Sequence, residues 1–349
     1  MDDELRDRVR TAGERAALFN ALKHGNDPDV GAIMGPLMGD NPDFRPHGDE
    51  IPGVIAPVVS EVAAMDETER RDRLSELAPE MLAELEAEDA TDEHVLPALP
   101  NAETGSVVMR AAPNPNGPWH IGHARMPAVI GTYKQRYDGE FICRFDDTDP
   151  ETKRPDLDAY DAILEDIAYL GFEPDRVLKA SDRLETYYDH ARDLIDRGGA
   201  YTCSCPAETF SELKNDGEAC PHREKDAATV REEFEAMIAG EYAAGEMVLR
   251  VRTDITHKNP AVRDWVAFRL IDTPHPREAA AEYRCWPMLD FQSGVDDHLT
   301  GVTHIIRGID LQDSAKRQRF VYDAFDWTYP EVLHWGHVQL DAYDVTLST

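Results

Sequence analysis

One stretch limits what this chain can fold into: Ser106-Val-Val-Met-Arg110-Ala-Ala-Pro-Asn-Pro-Asn-Gly-Pro-Trp-His120-Ile-Gly-His123. Val107 to Met109 is a short apolar run that reads as a buried strand. Pro113 to Pro118 is a loop rich in proline and asparagine, with one glycine. A helical pattern then runs from His120-Ile121-Gly122-His123 to Tyr137. Strand, tight loop and helix start make a ready anion site, because unpaired backbone N–H groups and the helix dipole converge there. Two histidines straddle that spot, and Gly122 between them lets a large ligand lie on the backbone. The pattern is neither the Gly-x-Gly-x-x-Gly dinucleotide loop nor a P-loop, since no Gly-Lys-Ser/Thr ends it.

The alternation continues downstream. Phe141-Ile-Cys-Arg144-Phe is a second apolar strand, so strand, helix, strand predicts parallel pairing in an α/β sheet. Asp146, Asp147 and Asp149 sit at its end, where open α/β sheets bind ligands. They are either solvated turn residues or ligand contacts. Leu157 to Leu170 predicts an amphipathic helix stopped at Gly171, and Ser181 the N-cap of a further helix through Arg197. From about Tyr201 to Cys285 the rhythm breaks. Cys203-Ser-Cys205 and Cys220-Pro-His222 offer three thiols and one imidazole, a donor set for a four-coordinate structural zinc; the alternative is free, partly buried thiols. Phe234 to Ile238 reads as helix, Met247 to Val251 and Trp265 to Leu270 as strands. A short helix after Trp286-Pro-Met-Leu-Asp290-Phe and an apolar strand, Val302 to Ile306, resume the α/β pattern. Arg307 ends that strand. A cation there, facing the same crevice as the carboxylates, is costly unless an anion meets it. The anion is a ligand carboxylate, or Asp296 or Asp310 in a structural bridge.

Residues 2–100 predict an all-helical segment. Leu5, Val9, Ala12, Ala16 and Phe19 recur at helical spacing, and Pro28, Gly35-Pro36 and Asn41-Pro42 break the pattern. Ile51 to Met65 and Thr68 to Ala87 form two more apolar periodic segments. Acidic residues crowd Glu84 to Glu93, and Pro97 and Pro100 follow, which predicts a linker. The segment is a packing appendage or an RNA-contacting module.

These segments resemble the signatures of class I aminoacyl-tRNA synthetases, whose His-Ile-Gly-His motif holds ATP. The closer resemblance is to glutamyl-tRNA synthetases of the archaeal type. Arg110-Ala-Ala-Pro-Asn-Pro-Asn-Gly117, Arg144-Phe-Asp-Asp-Thr-Asp-Pro150 and Gly301-Val-Thr-His-Ile-Ile-Arg307 carry it, and it is strongest from about Val107 onward. It implies an α/β fold, a class I Rossmann-type nucleotide-binding domain in two halves, residues 101–200 and 286–349. An inserted acceptor-stem-binding domain at 201–285 would split them, and an N-terminal all-helical domain at 1–100 would precede them. The implied reaction attaches glutamate to tRNA(Glu), with tRNA(Gln) a second candidate, through a glutamyl-adenylate. ATP with Mg2+ is the implied co-substrate, in a monomeric cytoplasmic enzyme. His120 and His123 would be catalytic, holding the phosphates, with Pro113, Asn114, Pro115, Gly117 and Gly122 completing the ATP site. Arg110 would contact the carboxylate of glutamate, Asp146 its α-amino group and Arg307 its side chain. A similar cysteine–histidine cluster in some of these enzymes supports zinc at Cys203, Cys205, Cys220 and His222.

Glutaminyl enzymes share the motifs but lack the arginine matching Arg307. A truncated, non-catalytic tRNA-binding fragment is the other alternative. One departure concerns Leu289, where related enzymes often carry a tyrosine eighteen residues before the arginine. The chain ends Val345-Thr-Leu-Ser348-Thr349, where the resemblance places the Lys-Met-Ser-Lys-Ser loop. The expectation is a chain cut before that lysine and before an anticodon-binding domain, poorly active alone.

Charge is the feature that sits least easily with an RNA partner. The formal net charge is −33, from 69 acidic against 36 basic residues, spread along the whole chain. Phosphate binding relies on Lys and Arg displacing counterions, so this balance fits either a protein without a nucleic-acid partner or one adapted to molar salt. There the Debye length is about 3 Å and acidic surfaces no longer repel RNA at range. The start, Met1-Asp-Asp-Glu-Leu-Arg, has neither a basic opening nor an apolar core and predicts no signal peptide. No apolar run approaches membrane-spanning length. Five unevenly placed cysteines argue against a disulfide framework and fit a reducing compartment. Salt adaptation predicts a melting temperature that rises from 0.1 M toward molar KCl; a steady fall over that range would refute it.

Overall fold

The computed structural model describes residues 1–90, 96–336, 338–340 and 345–347. The chain divides near residue 95 into two compact units. The first holds α1 (Asp3–His24), α2 (Val30–Asp40), α3 (Ile51–Ala63), α4 (Glu67–Leu77) and α5 (Pro79–Ala90). The Asp2 carboxylate accepts from Leu5 N at the start of α1, and Gly25 in the left-handed region, φ 64°, ends it. Asp66 and Glu69 form a reciprocal capping box on α4. Val9, Leu18, Ile33, Leu37, Ile55 and Val62 are buried in one shared core.

Three expectations are corrected here. Gly35-Pro36 does not break the pattern: Pro36 lies inside α2. An interior proline costs about 3 kcal/mol, and burial of Ile33 and Leu37 on that helix offsets it. Thr68 to Ala87 is two helices, because Ala78 leaves helical geometry just before Pro79. Of the linker expected at Glu84 to Glu93, residues 91–93 lie outside the described residues, and the rest is α5.

The second unit opens with β1 (Val108–Ala111), α6 (Ile121–Tyr137), β2 (Glu140–Phe145), α7 (Leu157–Tyr169), β3 (Arg176–Lys179) and α8 (Leu184–Asp196). Then come β4 (Ala200–Cys203), α9 (Ala207–Asp216), α10 (Ala227–Ile238), β5 (Val248–Val251), β6 (Val266–Leu270) and β7 (Cys285–Pro287). The parallel pattern returns with α11 (Leu289–Leu299), β8 (His304–Gly308), α12 (Gln312–Phe325) and β9 (Glu331–Trp335), followed by the hairpin β10 (Val338–Leu340) and β11 (Val345–Leu347). Ser348 and Thr349, where the second signature was expected to begin, lie outside the described residues.

Two sheets organise this unit. One is five-stranded and parallel, in the order β3-β2-β1-β8-β9. The other, β4-β5-β6-β7, is antiparallel and interrupts the first between β3 and β8. The parallel sheet therefore runs outward from β1 in one direction and resumes on its other side at β8. That reversal opens a crevice at the carboxyl ends of β1 and β8, where such sheets bind ligands. Thr303 ties the two strands: its hydroxyl accepts from Val108 N, and its own N–H donates to Val108 O, each at 2.9 Å.

Ser181 is not the cap of α8. It lies in a 3-10 turn, where its N–H and hydroxyl both donate to buried Asp147, at 2.8 and 2.7 Å. The Tyr160 hydroxyl donates to the same carboxylate at 2.6 Å. Asp147 is thus a structural hub and not a crevice group. Helix α6 packs so closely on Phe172 that a Cβ at Gly131 would lie 2.0 Å from that ring. Gly131→Ala gains about 1 kcal/mol of helix propensity but forces an overpacking cost of about 1–3 kcal/mol or more. Overpacking wins, so the variant is expected to melt at lower temperature than the parent. An unchanged or raised melting temperature would show that the Phe172 contact does not constrain α6.

Candidate active site

The loop between β1 and α6 is fixed to the loop after β2. Asp146 N donates to Pro113 O at 2.9 Å, and the Asn114 amide donates to Asp146 O at 2.8 Å. Between these loops and β8 lies a crevice of about 540 Å³. Arg110, Pro113, Asn114, His123, Asp146 and Arg307 line it. Pro115, Gly117, His120 and Gly122, expected in the same site, are not among the residues that face this cavity. Pro115 is buried, with its carbonyl accepting from Asp156 N at 2.7 Å. His120 is exposed at the rim, and Gly122 is buried at the first turn of α6.

The two histidines cap α6 reciprocally. His120 Nδ1 accepts from Gly122 N at 3.1 Å, and His123 Nδ1 accepts from His120 N at 3.2 Å. An imidazole that accepts at Nδ1 carries its proton on Nε2 when neutral. Both rings therefore keep an Nε2–H donor for another group, with centroids 4.0 Å apart. Burial, then the nearby His120, presses His123 below the ordinary histidine pKa, so it stays neutral at physiological pH. Trp119 stacks on His123 at 5.7 Å.

Behind the crevice lies a buried charge network that the sequence reading did not find. Asp297, fully buried on α11, accepts from Arg110 Nε at 3.0 Å and Nη2 at 3.2 Å, and from Arg144 Nη1 at 2.8 Å. Arg144 also donates through Nε to Asp146 at 2.7 Å, and Gln292 donates to the same carboxylate at 2.9 Å. Burial alone would raise the Asp297 pKa, but Arg110 and Arg144 overcome it and hold it below the usual aspartate value. Burial likewise opposes the charge on Arg144, and Asp146, Asp297 and Asp296 reverse that, raising it well above the ordinary arginine value. A hint was present in the sequence: two adjacent aspartates, Asp296 and Asp297, lie a few residues before the apolar strand that ends at Arg307.

Arg307 has no such partner. Asp296, one of its two expected bridges, is taken by Arg183 Nε at 2.7 Å and the Tyr187 hydroxyl at 2.6 Å. Among the described residues Arg307 makes no ion pair with Asp310 or any other group, and its buried Nε has no hydrogen-bond partner. Burial, then the like charge of Arg110, presses its pKa below the ordinary arginine value. Leu289, at the place where a tyrosine was expected, lines the crevice and is 40% exposed.

The cysteine cluster is assembled on the β4 end and the turn before α10. Ligand atoms of Cys203, Cys205, Cys220 and His222 lie within 4.8 Å of one another. Cys203 and Cys220 sulfurs are 3.9 Å apart, and Cys205 Sγ is 3.3 Å from His222 Nδ1. Tetrahedral zinc with bonds of about 2.0–2.3 Å has ligand separations of about 3.3–3.8 Å, so the donor set and spacing fit that ion. The far nitrogen, His222 Nε2, is 3.1 Å from Ser204 Oγ, which orients the ring.

The comparisons with known proteins agree with this architecture. The family described as tRNA synthetases class I (E and Q), catalytic domain, matches residues 106–348. The chain belongs to this family. A glutamate–tRNA ligase of Halobacterium salinarum is 77% identical over 350 residues, covering 100% of this chain and 60% of that protein. One of Haloarcula marismortui is also 77% identical over 350 residues, with the same coverage. One of Methanothrix thermoacetophila is 47% identical over 340 residues, covering 97% of this chain and 59% of that protein. The chain thus spans about 60% of the length of the curated relatives it matches. Relatives from salt-loving archaea accord with the acidic composition of this class I synthetase domain. Among the described residues, no helix is long and apolar enough to cross a membrane.

Proposed function

We propose that this chain carries the activation and acyl-transfer site of a glutamate–tRNA ligase. In the first step an oxygen of the glutamate α-carboxylate bonds to the α-phosphorus of ATP. The bond from that phosphorus to the bridging oxygen breaks, and pyrophosphate leaves. In the second step the acyl group passes from the adenylate to a ribose hydroxyl at the end of tRNA(Glu), releasing AMP. The residues of this chain act by positioning and by charge stabilisation. Nε2–H of His120 and of His123 donate to phosphate oxygens, beside the N-terminal dipole of α6. Gly122 lets the nucleotide approach the backbone, and Pro113, Asn114, Pro115 and Gly117 shape the loop over it. Arg110, with two of its nitrogens held by Asp297, offers Nη1 to the amino-acid carboxylate. Asp146 accepts from the ammonium. Mg2+ accompanies ATP and neutralises phosphate charge. Residues 201–285 would hold the RNA acceptor end, between catalytic halves 101–200 and 286–349.

The observation that carries this reading is Arg307. A guanidinium 6% exposed, in no ion pair among the described residues and with its Nε unpartnered, favours an anion from outside. A side-chain carboxylate supplies one and pairs with it in bidentate fashion, whereas a carboxamide leaves the charge unmet. Losing one partner of a desolvated charge pair costs about 2–5 kcal/mol, about 30-fold or more in affinity. Arg307→Leu is therefore expected to weaken glutamate at least that much in calorimetry and to leave ATP affinity unchanged. Equal glutamate affinity in the variant and the parent would remove the assignment.

Zinc at Cys203, Cys205, Cys220 and His222 belongs to the same reading. Bound there, it would cross-link β4 to the following turn. Hydrogen bonding from Cys220 lowers the pKa of the Cys203 thiol, and Arg250 adds to the effect, which favours the thiolate a zinc ligand needs. Elemental analysis of the purified chain should find about one zinc per chain, and chelation should expose three thiols to an alkylating reagent. No zinc, with all three thiols reactive from the outset, would favour the free-thiol alternative.

A further inference from the structure

One hydroxyl in the crevice has a proton that no acceptor among the described residues takes. Gln318 on α12 is 1% exposed and bridges two side chains. The Tyr329 hydroxyl donates to Gln318 Oε1 at 2.9 Å, and Gln318 Nε2 donates to Ser293 Oγ at 2.6 Å. Burial raises the Tyr329 pKa, which keeps the phenol protonated and able to donate. Every donor in this relay therefore points the same way, from Tyr329 through Gln318 to Ser293. Ser293 accepts the last bond, so its own proton must go elsewhere. At the end of the same helix the Thr300 hydroxyl donates back to Asp296 O at 2.6 Å. Ser293 makes no such bond, and among the described residues no other acceptor takes its proton. Ser293 is 4% exposed and lines the same crevice as Arg307, Arg110 and Asp146.

We propose that Ser293 is a specificity-determining donor to the side-chain carboxylate of the amino-acid substrate, with Gln318 and Tyr329 as the positioning residues that fix its direction. This rests on the glutamate reading of the crevice. A carboxylate is an acceptor at both oxygens, whereas a carboxamide has one acceptor oxygen and an NH2 that only donates. Arg307 and Ser293 together present donors alone. A glutamate side chain satisfies both. A glutamine side chain satisfies one and sets its NH2 against the other, leaving a buried donor unpaired. Selection against the amide is thus divided between a charge and the orientation of a neutral hydroxyl. No spacing in the sequence reveals the second, because Ser293, Gln318 and Tyr329 come from three separate segments.

The test is the ratio of glutamate to glutamine affinity, measured by calorimetry on the full chain, with ATP affinity and melting temperature as controls. Ser293→Ala removes the donor and is expected to lower the ratio about tenfold, the scale of one hydrogen bond to a charged group. Ser293→Thr keeps the hydroxyl and should restore the parent ratio. Gln318→Met removes the relay without adding charge, frees Ser293 to bond back to its own helix, and should also lower the ratio. It serves as well if the alanine variant does not fold. A folded Ser293→Ala with the parent ratio overturns the proposal, and a reversed Gln318 amide would produce that same result. If the parent chain binds ATP but no glutamate, the glutamate reading itself fails and this inference with it. If the parent prefers glutamate and neither variant changes that preference, only this inference fails.

Discussion

Asp297 is the point where the second unit is tied together. Its carboxylate holds Arg110 from β1 and Arg144 from β2, and Arg144 holds Asp146 on the loop beyond. Two cations that would repel each other across adjacent strands are kept close by one anion on a helix from the far half of the chain. Desolvating these groups is expensive, and only the mutual pairing offsets it. The geometry that results is useful. A cation suited to a carboxylate and an anion suited to an ammonium line one wall region of the same crevice. Both are oriented by bonds made behind the wall, so their placement does not depend on a ligand being there.

Much of the framework could be read from the chain. The β1 and β2 runs, the α6 pattern and the Arg307 strand are apolar segments with clear periods, and local pattern is enough to find them. The helical first unit was visible for the same reason. What failed was judgement of local breakers: Pro36 is carried inside α2 because buried neighbours outweigh its cost, and Ser181 serves a distant carboxylate instead of a helix start. Asp146 and Arg307 stood out in the sequence because they end apolar strands, and Arg110 only through the family resemblance; all three line the crevice. Asp297, Ser293, Gln318 and Tyr329 did not stand out, since their roles arise where α11 packs on α12 and on the segment before β9. The treatment of Asp146, Asp147 and Asp149 as one group also hid a division. Asp146 and Asp149 line the crevice, Asp149 paired there with Arg269 at 3.1 Å, while Asp147 is locked under Tyr160 and Ser181.

Salt sorts the ion pairs by depth. Exposed pairs such as Arg8–Asp43 and Arg73–Glu76 sit in high dielectric, and molar ions screen them almost completely. The pairs at Asp297 are shielded from those ions by the protein around them. A chain with a net charge of −33 can therefore tolerate a saline surrounding that neutralises its surface, while its crevice keeps its own electrostatics.

The antiparallel sheet inserted between β3 and β8 also sets a clock. Arg110 and Asp297 are 187 residues apart in sequence. At about 5–20 residues per second, a ribosome needs roughly ten to forty seconds to make the second after the first. Through that interval β1 and β2 exist without the anion that joins their two arginines, and only Arg144 has a carboxylate, Asp146, beside it. The nascent strands must stay wet at that edge until α11 emerges. The pairing that holds both arginines behind the crevice thus cannot form before α11 has been made.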